Sequence, residues 1–244
     1  MKYLPSRIDL ALLLVMIVLM AIEVVVFGVL FRAAARGTPR GSRLPSYIYL
    51  IVYQWAMAAS IAALWIATSR PWSSLLLGVP NRWGFGASLA LSMAFLVLAA
   101  LQRRAVLKRP EISETTRRQI LDIEPMAPHT QQERRVWTFA AITAGCCEEV
   151  MYRGFLLALF ASWVGLIAAV AINAIAFGVF HAYYGWKGIL KTGAFGLVMA
   201  LLALWSASLI PVIILHAAID LTSGDLAYRV LRKWTISIDS VKVA

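Results

Sequence analysis

Apolar residues fall along this chain in long blocks, not at the spacing of a surface helix or a half-buried strand. Seven runs stand out, at 8–31, 47–68, 84–101, 136–160, 164–181, 188–207 and a weaker one beginning at 209. Most reach the roughly 20 residues a helix needs to cross about 30 Å of hydrocarbon. No long alternation of apolar and polar positions suggests a barrel, and a bilayer admits only helices or closed barrels. The pattern therefore predicts an all-α fold, a polytopic transmembrane helical bundle of about seven spans, with six or eight as the alternatives. The last span is the least sharply bounded, because Ser223-Gly224-Asp225 either ends it or is carried within it. The first run follows Lys2 and Arg7 in the manner of a signal peptide. Its length exceeds the roughly 7–15 apolar residues of a signal core, and Arg32 and Arg36 come straight after it, so it reads as an anchored helix.

Composition strengthens this reading. The 244 residues are 61% hydrophobic and 14% charged, with a mean hydropathy of +0.77, whereas soluble domains carry roughly a quarter charged residues. The net charge of +11 would fit a nucleic-acid binder, but its distribution points to a membrane. Counting alternate sides of the spans, one side holds Lys2, Arg7, Arg70 and Arg82, and the other holds eighteen of the 23 basic residues. Such a bias marks the cytoplasmic face, where basic residues meet anionic head groups. The C-terminus is then cytoplasmic, the lipid bilayer is the partner of these charges, and no nucleic acid is expected.

The one long hydrophilic piece, 102–135, contains Pro110, Pro125 and Pro128. It reads as a cytoplasmic connector with a short interfacial helix at 113–121 capped by Ser113. Neither an internal repeat nor a low-complexity tract is present. Cys146 and Cys147 are adjacent inside a span, which suits small buried side chains better than a disulfide and lacks the spacing of a zinc pair. The chain divides into N-terminal transmembrane helices (1–102), the connector (103–135), a helical core (136–224) and a cytoplasmic tail (225–244).

Ionisable residues inside the spans carry the chemistry, since such groups are costly in hydrocarbon and usually line a cavity or pathway. Glu23 stands alone in the first span, with no partner legible. In the fourth, Glu149 and Arg153 are four apart and share a helical face, while Glu148 is turned about 100° away. One carboxylate is thus free to neutralise the arginine while the other faces a cavity. Phe177 and His181 are four apart at the end of the fifth span, and His216 and Asp220 four apart in the seventh. Each pair alone has an ordinary structural explanation, in an interfacial histidine or an intrahelical hydrogen bond. Together they place Glu, His, His and Asp on three spans, which packing does not explain. His129, in the connector, is assigned no role.

Three motifs now stand in order: Glu148-Glu149-Val150-Met151-Tyr152-Arg153, Phe177-Gly178-Val179-Phe180-His181 and His216-Ala217-Ala218-Ile219-Asp220. They resemble the CAAX prenyl protease 2 and bacteriocin-processing (CPBP, or Abi) intramembrane proteases over roughly 133–221. Gly154-Phe155, Gly185 and Leu209-Ile210-Pro211 add to the likeness. The resemblance implies hydrolysis of a peptide bond in a membrane cavity open to the cytoplasm, with 136–224 as the catalytic core. It casts Glu148 as the general base, with His181 helping to hold the water. His216 and Asp220 would polarise the scissile carbonyl or stabilise its oxyanion, supported by Glu149, Arg153 and Phe177. Proton transfer and oxyanion donation are what such side chains supply. Asp220 departs from relatives with Asn, and would have to be protonated, orient His216 or ligate a metal.

The family resemblance leaves two versions of the chemistry, metal-free and metallo. The set Glu148, His181, His216 and Asp220 suits a divalent ion such as zinc with an open water position. The expected substrate is a peptide or membrane-protein tail, either CAAX-type or a precursor such as a bacteriocin leader. A compact chain of this kind points to a bacterial cell membrane. Two other classes stand beside the enzyme: a proton-coupled transporter, for which the related halves or broken helices are missing, and a non-enzymatic scaffold or immunity factor. A remaining difficulty is depth. Glu148 lies about 18–20 Å along a straight helix from Arg135, whereas His181 closes its span.

Overall fold

In the computed structural model every regular element among the described residues is helical. Backbone is described for residues 5–35, 42–108 and 114–242, and side chains for these apart from 30–35, 114–115 and 233–242. The long elements are α1 (Arg7–Ala35), α2 (Leu44–Ala67), α3 (Arg82–Lys108), α7 (Leu166–Val179), α8 (Gly185–Ser206) and α9 (Ile210–Lys242). Between α3 and α7 lie α4 (Glu114–Ile123), α5 (Gln131–Glu149), a π-helical segment (Val150–Leu156) and α6 (Leu157–Val164). The last three run on without a break, so that seven passes result.

Five segments are long and apolar enough to cross a membrane: Arg7–Val29, Leu44–Ala67, Arg82–Lys108, Ala182–Ser206 and Ile210–Arg232. At 14 residues, α7 is a shorter apolar helix. Helix α5 falls outside the set because it carries Glu133, Arg134, Arg135, Glu148 and Glu149. It packs between α2 and α9, with Phe139 and Ile142 exposed on its outer face. The outer surface has the opposite character: Leu14, Val18, Val52, Ile66, Leu98 and Ile167 are all exposed, as residues facing lipid tails must be.

Polar clamps show that the passes alternate in direction. At one end the Arg70 guanidinium, just beyond α2, meets Asp9 in the first turn of α1, with Nη2 2.8 Å from Oδ2. At the other end the Arg43 amide, entering α2, donates to Glu133 Oε1 (2.9 Å) at the start of α5. There, too, Asp225 of α9 is paired with Arg103 of α3, Arg134 of α5 and Arg229. This second end carries the connector.

Small residues let the central helices approach closely. A methyl group on Gly145 would sit 2.6 Å from Ala217 Cβ, so α5 and α9 cross almost in backbone contact just below Glu148 and His216. Likewise a methyl on Gly178 would come 2.6 Å from Ile189 O, drawing α7 against α8. The aromatic core of Phe27, Tyr47, Tyr53, Trp65, Tyr152 and Phe177 fills the space among α1, α2, the π segment and α7.

Ser223-Gly224-Asp225 does not end the last span. Helix α9 continues through it to Lys242, and Gly224 is there because a Cβ would lie 2.0 Å from Trp137 Nε1. The connector helix starts at Glu114 and ends at Ile123. Its expected cap, Ser113, lies outside the described residues, as do Arg36 and Arg40.

Candidate active site

The site is built where the rod of α5, the π segment and α6 passes between α2, α7 and α9. Thr130 starts α5 with a reciprocal cap: its hydroxyl accepts from Glu133 N (3.1 Å), and Glu133 Oε2 accepts from Thr130 N (3.0 Å). Twenty residues after Thr130, the helix widens into the π segment that contains Arg153. Such a bulge frees backbone carbonyls and often marks a functional site. The Tyr152 carbonyl is taken up by Asn173 of α7, whose Nδ2 donates to it at 2.7 Å.

Glu149 and Arg153 form the i, i+4 pair, 2.9 Å apart and both wholly buried. Arg153 also donates to Gly196 O (3.2 Å), and its guanidinium lies 4.3 Å over the Phe177 ring. The same Glu149 Oε1 accepts from His216 Nδ1 at 2.7 Å. Glu149 therefore joins the first motif to the third, a link that spacing alone does not reveal. His216 Nε2 faces two carboxylates, Asp220 Oδ2 at 3.6 Å and Glu148 Oε2 at 4.0 Å.

Glu148 has a different partner. Gln54 of α2 donates from Nε2 to Glu148 Oε1 at 2.9 Å, while Oε2 makes no hydrogen bond. His181 sits just beyond α7, its Nδ1 2.6 Å from the Phe177 carbonyl. A carbonyl can only accept, so Nδ1 carries the proton and Nε2 keeps the lone pair. Phe177 lies tilted against His181 (4.6 Å between centroids) and meets His216 edge-on (6.0 Å), separating the two imidazoles while touching both.

Glu148, His181, His216 and Asp220 all line one cavity of about 260 Å³. On the α5 wall it follows Trp137, Ala140, Ala141, Ala144 and Glu148, a single helical face. Met126, Tyr184 and Lys191 line it toward the connector end. This resolves the difference in depth: a funnel running down α5 reaches Glu148 from the end at which His181 already lies. Small alanines keep it open, and aromatic rings and Ile219 make its walls largely apolar.

Among the described residues no three His, Cys, Asp or Glu side chains are arranged to hold a metal ion. His181 Nδ1 and His216 Nδ1 are both engaged with protein oxygens. A histidine held at Nδ1 by a protein oxygen turns Nε2 to the cavity, an arrangement that catalytic and metal-binding histidines share.

Sequence reasoning missed Gln54 and Asn173. The available signal was the same as for the acids: a lone amide in an otherwise apolar span. Glu23, without a legible partner in the sequence, receives the Tyr53 hydroxyl.

Residues 131–222 match the model of a protein family described as type II CAAX prenyl endopeptidase Rce1-like. No curated protein and no solved structure gives a significant match. The segment that carries all three motifs is therefore similar to this family, in agreement with the resemblance read from those motifs. The match supports, in general terms, a CAAX-type intramembrane protease in an integral membrane protein.

Proposed function

We propose that this protein hydrolyses a peptide bond inside the bilayer through a water activated by Glu148. The observation that carries the proposal is the single cavity shared by Glu148, His181, His216 and Asp220, which come from three helices. Glu148 takes a proton from the water, whose other hydrogen is held by the His181 Nε2 lone pair. The resulting hydroxide attacks the scissile carbonyl. His216, as an imidazolium donating to Glu149 from Nδ1, presents its Nε2–H to the developing oxyanion, the interaction expected to matter most where water is scarce. Glu148 then returns its proton to the leaving nitrogen as the C–N bond breaks.

Asp220 and Glu149 keep His216 charged and oriented from its two sides. Arg153 balances Glu149, so the cluster is not left with uncompensated negative charge. The chemistry routes no step through a metal. The substrate is a membrane-proximal peptide, either a CAAX-type C-terminus or a precursor peptide, which enters from the connector end. The basic bias makes that end cytoplasmic.

Purified protein in detergent or liposomes should cleave quenched fluorogenic peptides, and Glu148→Gln should lose at least about 100-fold in turnover while folding normally. A Glu148→Gln variant that still cleaves would remove the base from the mechanism. Wild-type protein that cleaves nothing and co-purifies with an intact membrane partner would favour the scaffold. Orientation has its own test in single cysteines at Ala182 and Gln132, in a variant lacking Cys146 and Cys147. They should react with an impermeant reagent only after permeabilisation, and labelling in intact cells would reverse the topology.

A further inference from the structure

The mechanism leaves one buried acid unused. Glu23 is only 8% exposed in the middle of α1, outside the segment that matches the family. Burying a carboxyl in a membrane helix is costly, and this one is joined to the reacting carboxylate through α2. Tyr53 donates its hydroxyl to Glu23 Oε2. Gln54 Nε2 lies 3.5 Å from the Tyr53 oxygen and 2.9 Å from Glu148 Oε1. Tyr53 and Gln54 are themselves 6% and 1% exposed, so solvent cannot substitute for any of these bonds.

The direction of donation is fixed throughout. Tyr53 has committed its one proton to Glu23, so only a lone pair faces Gln54. Glu148 Oε1 likewise presents an acceptor. Both neighbours therefore require the NH2 end of Gln54, and a flipped amide would set Oε1 against two oxygens. Gln54 is thus held from behind by the Glu23–Tyr53 pair. An amide holds no exchangeable proton site between two acids at ordinary pH, so this chain conveys position and not protons.

We propose that Gln54, backed by Tyr53 and Glu23, is a positioning residue that fixes the Glu148 carboxylate in its reacting orientation. The proposal rests on the reading of Glu148 as general base. Tying Oε1 to Gln54 prevents rotation of the carboxylate and leaves Oε2, the oxygen without a hydrogen bond, as the proton acceptor. The first transmembrane helix then contributes to the site without touching substrate. It explains why a catalytic core on α5, α7 and α9 is packed against α1 and α2 through polar side chains.

The test uses the full chain in detergent, with a fluorogenic peptide that the wild type cleaves and with thermal melting. Gln54→Met keeps the volume and removes the donor, and should lower kcat roughly 10- to 100-fold, the effect of misplacing a reacting group by about an ångström, with KM unchanged. Glu23→Gln still offers an oxygen to Tyr53 and should keep most activity, whereas Glu23→Leu should resemble Gln54→Met. In melting, the shifts of Gln54→Met and Glu148→Ala should be clearly non-additive in the double variant, because the two share one bond. An unchanged kcat in Gln54→Met, or a loss carried by KM, would overturn the proposal. So would additive melting shifts, which can be read even if no peptide is cleaved. Coupled melting shifts without any cleavage would leave the Gln54–Glu148 bond standing and sink the protease reading instead, together with the catalytic part of this proposal.

Discussion

Glu133 and Glu148 lie on the same helix and are almost equally hidden from solvent, at 3% and 7% exposure. Burial does not tell them apart, but hydrogen-bond donors do. Glu133 accepts from the backbone amides of Arg43 (2.9 Å), His129 (2.8 Å) and Thr130 (3.0 Å), so both its oxygens are occupied. Burial by itself would raise its pKa, but those amides and the Arg43 charge outweigh it and hold the carboxyl below its ordinary 4.5. Glu148 accepts one bond, from Gln54, and its second oxygen has none. A carboxylate saturated with donors fastens the connector to the bundle. One left short of donors beside two histidines is available to take a proton.

The largest expected effect comes from attacking the Glu148 end of this contrast. His181→Ala and His216→Ala should each cut peptide turnover by at least about 100-fold, measured with the fluorogenic peptide. The double variant should be little worse than either, because residues acting as a unit are not additive. Independent, multiplicative losses would mean that the cavity is not one site.

Next in size is the charge cluster between the two acids. Glu149→Gln strips Arg153 and His216 of their shared partner, and breaking a buried pair in this way costs on the order of 3–5 kcal/mol. Folded yield and melting temperature should fall well below those of Glu148→Gln, which removes a charge whose cationic neighbour, His216, is 4.0 Å away and is held more closely by Glu149. Equal yields for the two variants would contradict the division of labour.

Smaller again is the effect at Glu133. Glu133→Gln should destabilise by about 1–3 kcal/mol at neutral pH, the scale for hydrogen bonds to a charged group, with peptide turnover per folded molecule unchanged. The sign of its pH dependence is set by the depressed pKa. The contribution of Glu133 is fully present above its unfolded value of 4.5 and is lost as pH falls through the lower folded value. The gap in melting temperature between wild type and Glu133→Gln should therefore be flat from pH 7 to about 5 and close below it. A gap that widens in acid would refute the assignment.

The smallest expected effect is none at all. A chelator should leave turnover unchanged, since the proposed steps run through Glu148 and the two histidines without a metal. Loss of activity on chelation, with recovery on adding Zn²⁺ in the wild type but not in His181→Ala, would restore the metal-dependent version.

Much of this was legible in one dimension. The blocks of apolar residues located the five long apolar helices among the described residues and the shorter α7, because hydrocarbon tolerates so few alternatives to a long apolar helix. The i, i+4 spacing of Glu149 with Arg153, and of His216 with Asp220, was equally readable, being a property of a single helix. Thr130-Gln131-Gln132-Glu133 had the form of a capping box and went unread, although it marks the start of α5. The end of the seventh span was left open at Gly224 for a subtler reason. Glycine normally weakens a helix, but here the crossing indole of Trp137 leaves no room for a side chain, which no local pattern reveals.

Sequence by itself thus determined the class of fold, the three motifs and the residues able to do chemistry, because these depend on composition and on spacing within single helices. Tertiary structure alone decided which partners from other helices reach the two adjacent glutamates. Glu149 is consumed by Arg153 four residues on and by His216 from α9, whereas Glu148 accepts a hydrogen bond from Gln54, 94 residues earlier in the chain, and keeps Oε2 4.0 Å from His216. Which donors reach a carboxylate depends on how close neighbouring helices come and on how each is rotated about its axis. Those quantities are set by packing at small residues such as Gly145 and by the widened turn at Val150–Leu156, not by the order of residues within α5.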